Sequence, residues 1–191
     1  MNAELATTEK FRVGVVIERR RSDNRWLDYT WHPIAVIPGA PALDDPNQWR
    51  LMREGDGWSQ FHAATMDIEI YRGETEGYRA NLSSAPGHVY VVLAKGEEAD
   101  EPDVVPFLIT VCPYEAESYT ESGEEIVEGV PMPPEIHAWV QSFIDTHHVD
   151  QPFKKRKRKP YDPRKGGFSR NPGDGGPRRG RLPGDGGGEH E

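Results

Sequence analysis

The sequence predicts an α+β, mostly β protein: an antiparallel sheet, as a small sandwich or partly open barrel, with one C-terminal amphipathic helix and a disordered basic tail. Three observations carry this. Short β-branched or alternating stretches separated by turn residues recur from Phe11 to Cys112. The apolar period then changes from two to that of a helix, at Ile136. Beyond position 150 apolar residues nearly vanish, 63 lying before that point and 4 after it, so the last 41 residues cannot bury a core.

The first strand is expected over Phe11–Arg19, FRVGVVIER, where valines and an isoleucine suit a pleated sheet and Gly14 marks a bulge. Ser22, Asp23 and Asn24 are turn chemistry, because short polar side chains bond their own backbone. A second extended stretch runs from Trp26 to Ile37, with Leu27, Tyr29, Trp31 and Pro33 on one side. The two form a hairpin, and Pro33 places the second strand at an edge or bends it. A loop rich in Pro, Gly and Asp covers 38–47. Trp49–Arg53 is a short strand that turns at Gly55-Asp56-Gly57 and returns as Trp58–Ala63. Met66–Tyr71 alternates as a half-buried antiparallel strand, and Tyr78–Leu82 is a weaker strand candidate. His88–Ala94 and Val104–Cys112 are near-continuous apolar runs, which predicts central strands, joined by the acidic loop Gly96–Asp103. Glu115–Glu128 reads as a second acidic loop. Ile136, Trp139, Val140, Phe143 and Ile144 share one helix face. Pro133-Pro134-Glu135 starts that helix and His147-His148 stands at its negative end, giving a helix Pro134–His147 with Trp139 on the buried side.

Charge divides the chain as sharply as hydropathy does. Residues 1–150 carry 11 Lys/Arg and 27 Asp/Glu, and residues 151–191 carry 12 and 5. The expected organisation is therefore a flexible N-terminus over 1–10, an acidic globular domain over 11–150 and a basic, Gly/Pro-rich disordered tail over 151–191. Lys154, Lys155, Arg156, Lys157, Arg158 and Lys159 form one run of like charges, which repel and extend. No segment is long and apolar enough to span a bilayer, and one cysteine, Cys112, excludes a disulfide scaffold. The first ten residues lack a secretory signal, and Arg19-Arg20-Arg21 is followed by polar residues where an export signal needs an apolar stretch. A cytoplasmic location is the expectation.

The chemistry of sites is thinly written. His32, His62, His88, Asp67, Glu69 and the pair His147-His148 lack the spacing that places ligands around one metal ion. There is no nucleophile elbow and no glycine-rich phosphate loop, and Cys112 sits in an apolar run as a small buried hydrophobe. The sequence therefore designates no catalytic residues, no metal and no cofactor. The informative cluster is Arg19, Arg20, Arg21, Asp23, Asn24, Arg25 and Trp26, at one hairpin end. Arginine forks beside a Trp face can grip a carboxylate or phosphate, or the arginines can form surface ion pairs with the acidic body. The basic arm, 151–159, is the other candidate site, since such a run can contact nucleic-acid phosphates.

Several strings together carry a family resemblance: VGVVIERRRSDNRW at 13–26, HPIAVIPGAP at 32–41, ETEGYRANLSS at 74–84, VYVVL at 89–93, PYEAESYTESGEEIVEGVPMP at 113–133 and the HHVDQPFKKRKR run at 147–158. The chain resembles, over about Phe11 to Lys159, a bacterial family catalogued as a domain of unknown function. That family's genes often lie beside those for molybdenum-dependent formate dehydrogenases and their maturation factors. Some members carry an automatic label as molybdopterin-guanine dinucleotide biosynthesis proteins. The resemblance implies a context: a non-catalytic accessory protein that binds an oxidoreductase subunit or maturation factor. The alternatives are a nucleic-acid-contacting module that uses the basic arm, and an enzyme that handles the molybdenum cofactor.

Overall fold

The computed structural model describes residues 7–45, 48–96, 102–121 and 123–149. The chain divides into two units, Met1–Asp150 and Gln151–Glu191, and every described residue belongs to the first. The basic arm and the tail expected beyond it lie outside the described residues.

The described residues form seven strands and three α-helices: β1 (Thr8–Arg21), β2 (Tyr29–Pro38), β3 (Arg50–Gly55), β4 (Trp58–Tyr71), a 3-10 turn (Arg72–Glu74), α1 (Thr75–Leu82), β5 (His88–Lys95), β6 (Val104–Thr110), α2 (Pro113–Thr120), β7 (Ile126–Pro131) and α3 (Pro134–His147). They build a four-stranded sheet in the order β2-β1-β4-β3 and a three-stranded sheet in the order β6-β5-β7. Every pairing is antiparallel. The mostly β architecture holds as two open sheets, not a closed barrel. They approach each other along β2 and β7 and along β4 and β6.

The core lies between the sheets and under α3. Val13, Val15 and Ile17 of β1 and Ile68 and Ile70 of β4 meet Val89, Val91 and Leu93 of β5, with Ile136, Val140, Phe143 and Ile144 of α3 in the same cluster. β1 is buried on both faces from Val13 to Glu18, as a central strand requires. Two register shifts follow Gly14, between Val15 and Val16 against β4 and between Val16 and Ile17 against β2. Pro33 lies opposite Ile17 on β2, an edge strand, where a missing N–H breaks no outer ladder. Gly14 itself answers to packing: a Cβ there would stand 2.7 Å from Ala40 Cβ and from His62 Nε2.

Four expectations are corrected. Trp58–Ala63 and Met66–Tyr71 form one strand, β4, because one bulge on the β1–β4 ladder, which leaves Ala63 between the partners of Val15 and Val16, absorbs the change of period. Tyr78–Leu82 is the C-terminal half of α1, whose buried residues are Thr75, Gly77, Tyr78 and Asn81; a helix that buries polar groups has no apolar stripe to display. The stretch read as an acidic loop holds α2, started by Pro113, and β7. β6 is an edge strand rather than a central one. Helix α3 keeps the expected bounds, but Trp139 is half-buried: it packs on Phe11 with ring centroids 5.1 Å apart and donates its indole N–H to Glu9 Oε2 at 2.8 Å.

Candidate functional site

The hairpins β1–β2 and β3–β4 end together, because β4 from Trp58 to His62 pairs with the last part of β1 on one side and with β3 on the other. The turns are joined by Arg21 N–H donating to Gly57 C=O at 2.7 Å. This end carries Arg19, Arg20, Arg21, Arg25, Arg50 and Arg53, six of the 11 basic residues before position 151, with Glu18, Asp23, Asp28, Glu54, Asp56 and Asp103, six of the 27 acidic ones. Its own charges therefore balance within a body that is acidic elsewhere, so an anion meets no net repulsion from this end itself.

Arg19 follows Ile17 by two residues on β1, so it lies on the core face just past the end of the core. There it meets three aromatic rings from two strands, β2 and β4. Its guanidinium carbon stands 4.6 Å from the Tyr29 ring centre, 5.4 Å from Phe61 and 5.8 Å from Trp31. Trp31 and Trp49 pack edge to face at 5.5 Å and 89°, and Trp49 leans on Phe61 at 5.8 Å. Among the described residues no carboxylate lies within ion-pairing distance of Arg19. Arg19 and Tyr29 form a wall shared by two cavities. One, of about 300 Å³, is lined by Trp31, Trp49, Phe61, Pro102 and Asp103. The other, of about 230 Å³, is polar and is lined by Arg21, Asp56, Gly57, Trp58 and Ser59.

The other residues of the sequence-designated cluster go elsewhere. Arg20 points to the opposite face and grips Glu18, which also accepts from Gln60 Nε2 at 2.8 Å. Hydrogen bonds from Gln60 and Arg20 hold this largely buried carboxyl below its ordinary range. Asn24 is spent on its own turn: its Oδ1 accepts from Trp26 N–H at 3.1 Å and its N–H reaches Ser22 Oγ at 3.0 Å. Asp23 is exposed at the tip. Arg25 stacks on Trp26 at 4.6 Å, and Trp26 is 78% exposed, with Leu27 exposed beside it. The structure thus brings Arg19 and Arg21 to one wall, and supplies Tyr29, Trp31, Trp49 and Phe61 as the aromatic surface. Sequence reasoning did not designate those four. Tyr29 and Trp31 were visible as an alternating pair on the second strand, but Phe61 reaches the site through the β1–β4 register, opposite Ile17, and Trp49 precedes β3, whose first pair is Arg50 with His62.

Other reactive groups are engaged differently. His62 is buried beneath the loop after β2, where its Nε2 meets Thr65 Oγ1 at 3.1 Å; burial first, and Arg50 second, push it below its usual range. His32 pairs through Nδ1 with Glu128 at 2.8 Å. His147 is buried against Phe143, while His148 Nδ1 meets Thr75 Oγ1 at 3.0 Å and its Nε2 meets Arg79 in a groove of about 450 Å³ between α1 and α3. Cys112 is buried in the core, and that burial pushes its thiol up. Among the described residues no three His, Cys, Asp or Glu side chains stand together as a metal site, and no helix is long and apolar enough to cross a membrane.

A family profile described as a protein of unknown function (DUF3305) matches residues 12–157. No curated protein and no solved structure matches the chain.

Proposed function

The chain belongs to the DUF3305 family, and we propose that it is a non-catalytic accessory protein whose paired hairpin end binds a protein partner. One observation carries the reading: Arg19 is held among aromatic rings, with no carboxylate of the described residues in ion-pairing range, at an end of the acidic body where basic and acidic residues balance. Around it Trp26, Leu27, Leu51 and Met52 stand exposed. Trp and Arg are the residue types that most often dominate a protein interface, and their value depends on a dry, pre-formed setting. A guanidinium fixed against three rings loses little freedom when a partner acid arrives.

The strings shared with a family encoded beside molybdenum-dependent formate dehydrogenase genes support an oxidoreductase subunit or maturation factor as the partner, and a cytoplasmic setting. The experiment is capture from the native host with the tagged full-length chain and mass spectrometry, comparing wild type with Arg19→Gln. Recovery of oxidoreductase subunits or maturation factors by wild type and their loss in the variant supports the reading. A second reading, nucleic-acid contact through Lys154–Lys159, rests on six consecutive cations. Ribosomal proteins and RNA in both eluates would favour it.

A further inference from the structure

We propose that the segment bound at this end is an extended acidic peptide of the partner. It places an aromatic side chain in the open cavity lined by Trp31, Trp49 and Phe61, and a carboxylate on Arg19. This rests on the partner-binding reading and adds the chemistry of the occupant.

Arg19 settles the sign of the ligand. Aromatic faces gathered round a hollow attract cations, but here the chain supplies its own: the guanidinium already lies over Tyr29 and within reach of Trp31 and Phe61. An external ammonium would meet a like charge. What remains is the guanidinium's N–H edge, which matches a carboxylate in two parallel bonds. The rings settle the neighbour. Trp31 and Trp49 are already edge to face, and Trp49 leans on Phe61. A further ring entering the cavity of about 300 Å³ extends the same geometry, in which the rim of one ring meets the face of another. That volume is at the lower end of the roughly 300–1,000 Å³ typical of small-molecule pockets, and it suits one side chain.

Two features favour a peptide over a nucleotide, which also joins a ring to an anion. Each chamber has an acid in its wall, Asp103 in the aromatic one and Asp56 in the polar one. A phosphate monoester concentrates close to two negative charges on one group beside these acids, whereas an extended peptide spaces single carboxylates about 7 Å apart on one face and can set one on Arg19 with the others away from the walls. Between Trp49 and the Gly55-Asp56-Gly57 turn runs β3, exposed along its whole length and, among the described residues, unpaired on its outer edge. An open strand edge beside side-chain pockets is how a sheet takes up an extended peptide: backbone bonds give affinity and alternate side chains give specificity.

The test uses the full-length chain and four probes: a blocked hexapeptide alternating aspartate and phenylalanine, the same peptide with alanine for phenylalanine, the same with lysine for aspartate, and adenosine monophosphate. Tryptophan fluorescence, with Trp31 and Trp49 as reporters, follows each titration. The first peptide saturates the signal, and loss of its rings or reversal of its charge weakens binding at least tenfold. Arg19→Gln weakens it at least tenfold, and Arg19→Lys, which keeps the charge and loses the fork, weakens it as well; melting curves verify that both variants are folded. The proposal is overturned if the alanine peptide binds as well as the phenylalanine one, if both Arg19 variants bind like wild type, if adenosine monophosphate saturates and the peptide does not, or if nothing saturates by about 1 mM, the weak end of the affinity scale. Failure of the peptide while Arg19→Gln still abolishes partner capture overturns the occupant alone. Peptide binding without any captured partner overturns the accessory reading and leaves the site.

Discussion

Asn81 is the residue on which the junction between α1, β5 and β6 rests, and replacing it gives a worked prediction. It is 3% exposed. Its amide donates to His88 C=O at 2.7 Å and to Val111 C=O at 2.8 Å, and its carbonyl accepts from His88 N–H at 2.9 Å. Asn81→Ala leaves one donor and two acceptors without this partner. An unsatisfied buried group costs about 1–3 kcal/mol, with partial relief where water enters. The expected loss is about 3 kcal/mol, or roughly 6–12 °C in melting temperature for a chain of this size. Asn81→Asp has nearly the same shape and distinguishes hydrogen bonding from volume. It keeps the acceptor for His88 N–H, loses both donors and turns a carboxylate toward two carbonyl oxygens, so near neutral pH it costs at least as much as alanine. When protonated it regains one donor. Its folded-state pKa is therefore raised above the unfolded value of about 3.9. The stability this proton provides is complete below the unfolded pKa and is lost as pH rises through the folded one. Urea titrations followed by circular dichroism, near neutrality and at about pH 4, measure both effects. A loss under about 1 kcal/mol for Asn81→Ala, or an aspartate penalty that does not shrink on acidification, would refute the cross-brace.

Trp139→Ala should cost about 2–3 kcal/mol, short of the roughly 3–5 kcal/mol of a fully buried large aromatic, because the ring is half-buried on Phe11. Trp139→Phe should keep most of that packing and lose about 1 kcal/mol with the bond to Glu9; equal losses by urea denaturation would contradict this division. Glu18, held below its usual range by Gln60 and Arg20, contributes stability that is present above the unfolded carboxylate pKa and lost as pH falls through the lower folded value. Glu18→Gln should therefore be less stable than wild type at neutral pH, and the gap should close in acid; a constant difference in urea midpoint across that range would count against it. Cys112, buried with a raised thiol, should react with a disulfide reagent only as fast as the protein opens, and prompt stoichiometric labelling of the native chain would show that the site is accessible.

The elements that could be read from the sequence are those whose burial is apolar and periodic. The alternation in Met66–Tyr71 and the apolar stripe of α3 place their own core faces, and α3 falls within the bounds its proline and histidines suggest. Helix α1 was hidden because its inner side carries Thr75, Asn81 and Gly77 beside Tyr78, and hydrogen bonds rather than hydrophobicity place it. Helix α2 buries only Ala116, so no pattern distinguishes it from a solvated loop. The β7 strand is short and half-exposed, and pairing with β5 defines it. The site shows the same limit. Sequence proximity grouped Arg19 through Trp26, yet strand alternation sends Arg19 and Arg20 to opposite faces, and the turn uses Asn24 for its own backbone. Trp49 and Phe61 join Arg19 through register, and register depends on bulges that a single residue of slip would undo.

The most direct test of the proposed role is site-specific photo-crosslinking in the native host, with a photoreactive phenylalanine at Trp26 in one strain and at Tyr71 in another. Both side chains are exposed; Trp26 belongs to the paired hairpin end and Tyr71 closes the far end of β4. The account predicts an adduct from position 26 to an oxidoreductase subunit or maturation factor, lost when Arg19→Gln is added, and none from position 71. An adduct to that partner from position 71 and not from 26, or one from 26 that survives Arg19→Gln unchanged, would contradict it.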